Sequence, residues 1–318
     1  MNAILRRFLM IEWSGLLGAI VLGVVVLSWL SPAFLTEFNI YVMLRSFCVA
    51  LLIGFAQMVT LAVGQMNIAV GALGGLVAIT VGGLMETFGL PIAVAVPLAV
   101  GIGALGGLLN GVLTARTGIN GFIITLATAS AFTGINLGVT ESIPYYNLPP
   151  AFVAFGSERI FGFPYLLIAP VVVATLLALF LARTVPGRQI LAVGGNPQAA
   201  ELSGISRDRT ILLAHMLSGT LAGGAAVLAV AQLGSAQPSI GADWLLISFA
   251  APIIGGAALT GGNVSVFGTS LAVILIALIE NGMVLANVDP YWVQFLLGAL
   301  ILAAVWLNRW RAVKTGAG

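Results

Sequence analysis

The feature that most constrains this chain is a succession of apolar runs, each close to the length of one bilayer crossing. A crossing helix needs about 20 predominantly apolar residues, because the hydrocarbon layer is ~30 Å thick and each residue adds ~1.5 Å. Runs of that length fall at 11–30, 40–63, 67–85, 90–115, 119–139, 163–182, 210–231, 244–260, 263–283 and 291–307. Two junctions are thin. Gly64-Gln65-Met66-Asn67 separates the second run from the third, and Gly261-Gly262-Asn263 the eighth from the ninth. Composition agrees: apolar residues make up 60% of the 318 and charged residues 7%, against about 45–50% and about 25% in a soluble domain. The expectation is an all-α, polytopic membrane helical bundle of about ten transmembrane helices, forming a single domain over 1–318.

Charge placement orients it. With ten crossings, one set of loops holds Arg6, Arg7, Arg116, Arg183, Arg188, Arg207, Arg209, Arg309, Arg311 and Lys314, ten of the 12 basic residues. Only Arg45 and Arg159 fall on the other side, which collects Glu37, Glu86, Glu141, Glu158, Asp243, Glu280 and Asp289. Lys and Arg are retained in the cytoplasm, so both termini are expected there. Arg6 and Arg7 before the first run look like the start of a secretory signal. The run exceeds the ~7–15-residue apolar core of such signals and lacks a small-x-small cleavage site, so it reads as a retained helix. Arg45, about a turn inside the second run, is expected to reach back to the outer interface. Two loops are long enough to carry structure: an outer one, 140–162, and an inner one, 183–209, the most polar stretch of the chain.

Several functions are excluded. A net charge of +2 provides no basic field for nucleic acid. Cys48 is alone, which fits neither a disulfide nor a thiolate metal cluster. The phosphate loop G-x-x-x-x-G-K-[ST] needs a Gly-Lys pair, and the only lysine, Lys314, follows Val313. No catalytic, cofactor or metal site is expected, and any ATP must be bound by a partner subunit.

Forty glycines ask for a reason. Helices in lipid associate by close packing, which favours small residues four apart. Gly103, Gly107 and Gly111 follow that spacing, as do Gly71 with Gly75 and Gly219 with Gly223. The polar groups at depth or at helix breaks are neutral: Gln65, Asn67, Asn110, Asn120, Thr125, Thr128, Thr133, Asn136 and Asn281. Amides and hydroxyls suit an uncharged, polyhydroxylated solute, because they exchange hydrogen bonds without desolvating a charge. His215, beside Ser218, is the only mid-span group that could couple an ion, and its ordinary role is a structural hydrogen bond.

Six strings then stand in register. Ile190 to Ile205 reads I-L-A-V-G-G-N-P-Q-A-A-E-L-S-G-I; with it occur Leu109-Asn110-Gly111, Gly121-Phe122-Ile123-Ile124-Thr125-Leu126, Leu233-Gly234-Ser235-Ala236-Gln237-Pro238, Gly255 to Gly262 and Glu280-Asn281-Gly282. Over roughly residues 45–305 the chain resembles the ribose/xylose-type permease family of ABC importers, within the branched-chain amino acid/sugar permease superfamily. The resemblance implies a multi-pass protein of the bacterial inner membrane that pairs with a second permease subunit, identical or paralogous. It also implies a cytoplasmic ATP-binding subunit and a periplasmic or lipid-anchored solute-binding protein delivering a sugar or polyol. The substrate-pathway candidates are Gln65, Asn67, Asn110, Asn120, Phe122, Thr125 and Asn281. The ATPase-coupling loop would include Gly187, Arg188, Gly194, Gly195, Asn196, Pro197, Ala200, Glu201, Gly204 and Arg207, with a short helix from Pro197 to Ser203 stopped by Gly204.

One string departs from the family. Where it shows Gly-Gly-Ile-Asp-Leu-Ser-Val-Gly, this chain has Gly64-Gln65-Met66-Asn67-Ile68-Ala69-Val70-Gly71. Asp becomes Asn67 and Ser becomes Ala69. A faint echo, Gly262-Asn263-Val264-Ser265-Val266-Phe267-Gly268, opens the ninth run and hints at an internal repeat. A branched-chain amino-acid permease, an ion-coupled carrier using His215 or Glu280, and a passive channel are the alternatives.

Overall fold

The computed structural model describes residues 13–289 and 291–314, so Arg6 and Arg7 lie outside the described residues. The described chain is almost wholly helical: α1 Ser14–Leu30, α2 Glu37–Ala62, α3 Val70–Glu86, α4 Ile92–Thr117, α5 Gly121–Thr140, α6 Pro150–Ser157, α7 Ile168–Arg183, α8 Val185–Gly195, α9 Pro197–Leu202, α10 Arg207–Leu233, α11 Trp244–Ile254, α12 Val266–Leu285 and α13 Tyr291–Lys314. Among the described residues six helices are long and apolar enough to cross a membrane: α2, α4, α5, α7 with the 3-10 turn before it, α10 and α12. Four shorter apolar helices accompany them, at Ser14–Leu30, Val70–Glu86, Trp244–Ile254 and Trp292–Ala303.

The eighth run, expected at 244–260, is helical only to Ile254. Eleven residues at ~1.5 Å each reach about 16 Å, roughly half the hydrocarbon layer. The helix stops because Gly255 lies against the backbone of Gly268 and Thr269, and Gly256 turns to φ 93°. The chain from 255 to 265 is irregular until Ser265 caps α12 by accepting from the Gly268 N–H at 2.9 Å.

At the centre stands α10, packed on α2, α3 and α4. Its contact with α4 is the glycine seam expected from the four-residue spacing. Gly103, Gly107 and Gly111 of α4 lie against the backbone at Gly219, His215 and Leu212, so the helices meet main chain to main chain. Close packing of this kind replaces the hydrophobic drive that lipid removes. Gly71 and Gly75 likewise let α3 approach the backbone at Gly241 and Ile240. Arg45 does not extend into solvent. Its Nη2 donates to the carbonyl of Gln232 at 2.6 Å and its guanidinium stands 5.6 Å from the Tyr41 ring centroid. A cation there completes an orphan carbonyl of the last turn of α10.

Both long loops are structured. The outer one contains α6 and a two-residue antiparallel pair, Arg159–Ile160 with Phe163–Pro164. Tyr145 and Ala236 exchange backbone hydrogen bonds at 3.0 and 2.9 Å, tying the loop to the chain after α10. Arg159 pairs with Glu37 at 2.8 Å. The inner one is α8 and α9. Asn196 caps α9 by accepting from the Ala199 N–H at 3.0 Å, Pro197 occupies the first turn, and Gly204 leaves it at φ 79°. The expected short helix is present.

Replacing Gly219 by Val would drive a side chain into the Gly103 carbonyl and the Gly107 backbone. Overpacking of this sort costs ~1–3 kcal/mol or more. Gly219→Val should lower both the membrane level and the melting temperature of the detergent-solubilised protein. Gly101→Ala, where a Cβ would meet open space, should change neither. Size-exclusion profiles after heating measure both.

Candidate substrate pathway and coupling surface

The thin junction after α2 is an irregular segment held inside the helix bundle. Gly64 takes φ 75°, and residues 64–69 are not helical. At membrane depth such backbone survives only where protein satisfies it, and here the partners can be named. Asn67 is fully buried; its Nδ2 donates to Ser218 Oγ of α10 at 2.9 Å and its Oδ1 accepts the Ala69 N–H at 2.9 Å. With its amide oriented to satisfy both atoms, Gln57 of α2 donates to the Asn67 carbonyl at 2.8 Å and accepts its N–H at 3.2 Å. Thr125 Oγ1 accepts the Ile68 N–H at 3.0 Å and donates to the Gly121 carbonyl at 2.7 Å. Gln65 Oε1 accepts the Gly121 N–H at 3.1 Å, at the start of α5.

Asn67 therefore stands where the family has Asp for a reason visible in its contacts. The amide gives one donor to α10 and one acceptor to its own loop. Ala69, in place of the family's Ser, is wholly buried.

Three polar side chains close beside this segment find no hydrogen-bond partner. Both amide atoms of Asn110, both ring nitrogens of His215 and Thr114 Oγ1 are buried and unpaired. Asn110 and Thr114 are four apart on α4 and so share a face. His215 faces the same place from α10, since a Cβ on Gly121 would lie 3.5 Å from its Nε2 and 2.5 Å from Gln65 Oε1. Gln65, Asn67 and Thr125 thus gather with Ser218 and His215 where the segment after α2 meets α5 and α10, while Asn110 and Thr114 share a face of α4 and Asn120 is exposed at the cap of α5. Two expected residues stay out. Phe122 is 42% exposed on the outer surface of α5. Asn281 forms a reciprocal amide pair with Asn39, at 2.9 and 2.7 Å, holding α12 to α2.

Cavities occupy the two ends of α10, a polar one at its start and a mostly apolar one near its end. One of about 260 Å³ at its start is lined by Gln65, Thr114, Asn120, Arg207 and Asp208. Another of about 350 Å³ near its end is lined by Ser46, Gln232, Gln237, Ser239, Asp243 and Glu280.

The coupling-loop candidates divide into a buried and an exposed set. Gly187, Gly194 and Ala200 are buried, whereas Arg188, Gly195, Asn196, Pro197, Glu201, Gly204 and Arg207 are exposed. Leu202, 91% exposed on α9, adds an apolar tip to that surface. The buried set touches both helix breaks. Gly194 lies against the Ala62 carbonyl, Gly262 donates its N–H to that carbonyl at 3.0 Å, and a Cβ on Gly64 would stand 2.9 Å from the Thr260 carbonyl oxygen. A Cβ on Gly261 would lie 2.9 Å from Gly194 Cα, and one on Gly262 2.5 Å from Gly195 Cα. The segment after α2, the segment after α11 and the end of α8 share one glycine junction. Asn67 and Asn263 each sit three residues before their helix, α3 or α12, which gives the internal repeat a structural counterpart.

Sequence reasoning did not single out Gln57, Thr114 or Leu202. Gln57 carried a signal, an amide within the apolar run 40–63; nothing set Thr114 apart from the other hydroxyls.

The described chain is thus an apolar helical bundle with interrupted helices, buried neutral polar side chains and a polar loop at 183–209. Residues 33–305 match the family described as "Branched-chain amino acid transport system / permease component", and the chain belongs to it. It is 34% identical to the D-allose transport system permease protein AlsC of Escherichia coli (strain K12), over 88% of this chain and 86% of that one. It is 34% identical to the ribose import permease protein RbsC of Bacillus subtilis (strain 168), over 90% and 89%. With the autoinducer 2 import system permease protein LsrD of Photorhabdus luminescens it shares 31% over 94% and 96%. No solved structure matches the chain.

Leaving the Ser218 hydroxyl and the Ala69 N–H without their side-chain partner would cost about 1–3 kcal/mol for each buried group. Asn67→Leu should lower thermal stability and transport together. Asn67→Asp restores the family residue, keeps the acceptor for the Ala69 N–H and offers a second oxygen to which the Ser218 hydroxyl can donate, so it should retain more stability than Asn67→Leu. Melting curves of the purified variants test the contrast.

Proposed function

We propose that the chain is the membrane-spanning subunit of an ATP-driven importer for a sugar or related polyol. It contains no ATP-hydrolysing loop of its own and works as a transport subunit. The observation that carries the reading is the set of neutral polar side chains with unspent hydrogen-bonding groups, Gln65, Asn110, Thr114 and Asn120, at or near the cavity at the start of α10. Such a set offers donors and acceptors in mixed array and no full charge at depth, which is what a hydroxyl-rich solute needs. The relatives named for ribose, D-allose and autoinducer 2 import agree with that class.

In this reading the ten apolar helices cross the bacterial inner membrane with both termini in the cytoplasm. The half-length α11 completes its crossing through the segment 255–265. The exposed face of α8 and α9, with Arg188, Pro197, Glu201, Leu202 and Arg207, docks on a cytoplasmic ATP-binding subunit. A second permease subunit completes the pore, and a periplasmic or lipid-anchored binding protein delivers solute to the outer cavity. The substrate and the identity of the second subunit follow from which binding protein and ATPase co-purify.

Uptake of labelled pentoses and hexoses into cells carrying the assembled system should stop when ATP synthesis is blocked. It should continue with an uncoupler if ATP is maintained. Uptake that follows the proton gradient instead would assign a secondary carrier. Deleting 196–204, or reversing Arg207 and Arg209 to Glu, should leave the subunit inserted while co-purification of the ATPase falls at least several-fold. Undiminished co-purification with sugar-stimulated hydrolysis would remove this loop from the coupling role.

A further inference from the structure

We propose that the cavity at the start of α10 is an inner binding subsite for a neutral, polyhydroxylated solute, with Thr114 as a direct hydroxyl contact. This deepens the importer reading and rests on it.

The cavity is about 260 Å³, the liquid volume of roughly nine waters at ~30 Å³ each. That is close to the heavy-atom count of one small sugar. Its walls come from four elements: Gln65 from the break after α2, Thr114 from α4, Asn120 from the cap of α5, and Arg207 with Asp208 from the first turn of α10.

The hydrogen-bond inventory has unused capacity in one direction. Gln65 uses its carbonyl oxygen on Gly121 and Asn120 uses its own on Phe122 at 2.9 Å. Each therefore keeps its amide NH2 for another partner. Thr114 is 96% buried, lines the cavity, and has a hydroxyl with no partner. Behind it, one turn along α4 and across on α10, Asn110 and His215 repeat the same condition.

Buried polar groups are ordinarily satisfied, and the unpaired Thr114 hydroxyl on the cavity wall points to something the cavity receives. Donors from two amides, a hydroxyl of both kinds and the acceptor Asp208 match a solute whose every substituent is donor and acceptor at once. Arg207, Asp208 and Asn120 stand at the exposed mouth, and the enclosed end, with Gln65 and Thr114, is neutral. A zwitterion would need the reverse.

The position also suits release. Arg207 belongs to both the cavity and the inner loop, and Gln65 follows Gly64 of the glycine junction. Displacement of that loop therefore reaches two walls of the subsite at once.

Cys48 is the single cysteine, so a Cys48→Ala background makes a placed thiol readable. Ala115 lines the cavity beside Thr114, and Ala115→Cys substitutes one small side chain for another. The assembled transporter is placed in sealed vesicles of both orientations and treated with a membrane-impermeant methanethiosulfonate. Modification should occur from the side bearing the inner loop and should slow several-fold in saturating D-ribose or D-allose, but not in L-leucine. Thr114→Val should abolish the protection, and Thr114→Ser should keep it.

Modification unaffected by either sugar would show a merely hydrated cavity and overturn the subsite. So would protection by L-leucine, or sugar protection undiminished in Thr114→Val. ATP-dependent uptake of the same sugars, measured on the unmodified transporter, separates the two readings. Uptake without protection removes the subsite and leaves the importer. Absence of ATP-driven uptake for every pentose and hexose tried removes the importer, while the subsite is judged on protection alone.

Discussion

Everything in this molecule depends on satisfying backbone polar groups where water is absent. An N–H or carbonyl left open in hydrocarbon costs several kcal/mol, so irregular chain at depth must be wrapped by protein. This chain has two such stretches, 63–69 and 255–265. The first is satisfied by Gln57, Ser218, Thr125 and its own Asn67. The second leans on the first, through the Gly262 N–H on the Ala62 carbonyl, and closes on itself through Ala258 N–H donating to the Asn263 carbonyl at 3.0 Å. Neither break could persist without the other elements packed on it. The polar side chains in this apolar protein are therefore placed first by structure, and their availability to a solute comes from what remains unpaired.

That distinction sorts the candidate residues. Asn281 and Asn39 spend their amides on each other, and Asn67 spends its own on Ser218 and Ala69. Gln65 and Asn120 spend half. Asn110, Thr114 and His215 spend none. A residue with nothing left to donate or accept holds the frame, while one with a free group inside a cavity can meet a ligand.

Much of the fold was legible beforehand because two periodicities survive in lipid. Apolar run length located every long helix, with ends within a few residues except at α13, which continues seven residues past the expected 307 to Lys314, and glycine spacing located the α4–α10 seam. The run 244–260 read as continuous because Gly255 and Gly256 are as apolar as their neighbours on any hydropathy measure. Only the approach of Gly268 and the positive φ of Gly256 end the helix, and neither is written in local composition. Long-range amide pairing was hidden for a similar reason: Asn39 and Asn281 are 242 residues apart. Phe122 was drawn in by the string around it and is part-exposed, turned out from the buried row of Gly121, Thr125 and Thr128. The short helix α9 was readable to within a residue, because Asn196, Pro197 and Gly204 are local signals acting on local backbone.

The glycine junction sets how the inner loop can act on the seam. Gly194 meets Ala62 and Gly261 backbone to backbone, so no flexible side chain stands between them to absorb a shift. A movement of α8 along its axis must displace the end of α2, the segment after α11, or both. The α4–α10 seam answers differently. Its contacts are also main chain to main chain, yet they run the length of two 26- and 27-residue helices, and yielding there requires the whole face to move. The break after α2 holds Gln65 on the cavity at the start of α10 and Asn67 against Ser218, so the glycine junction is continuous in sequence with both.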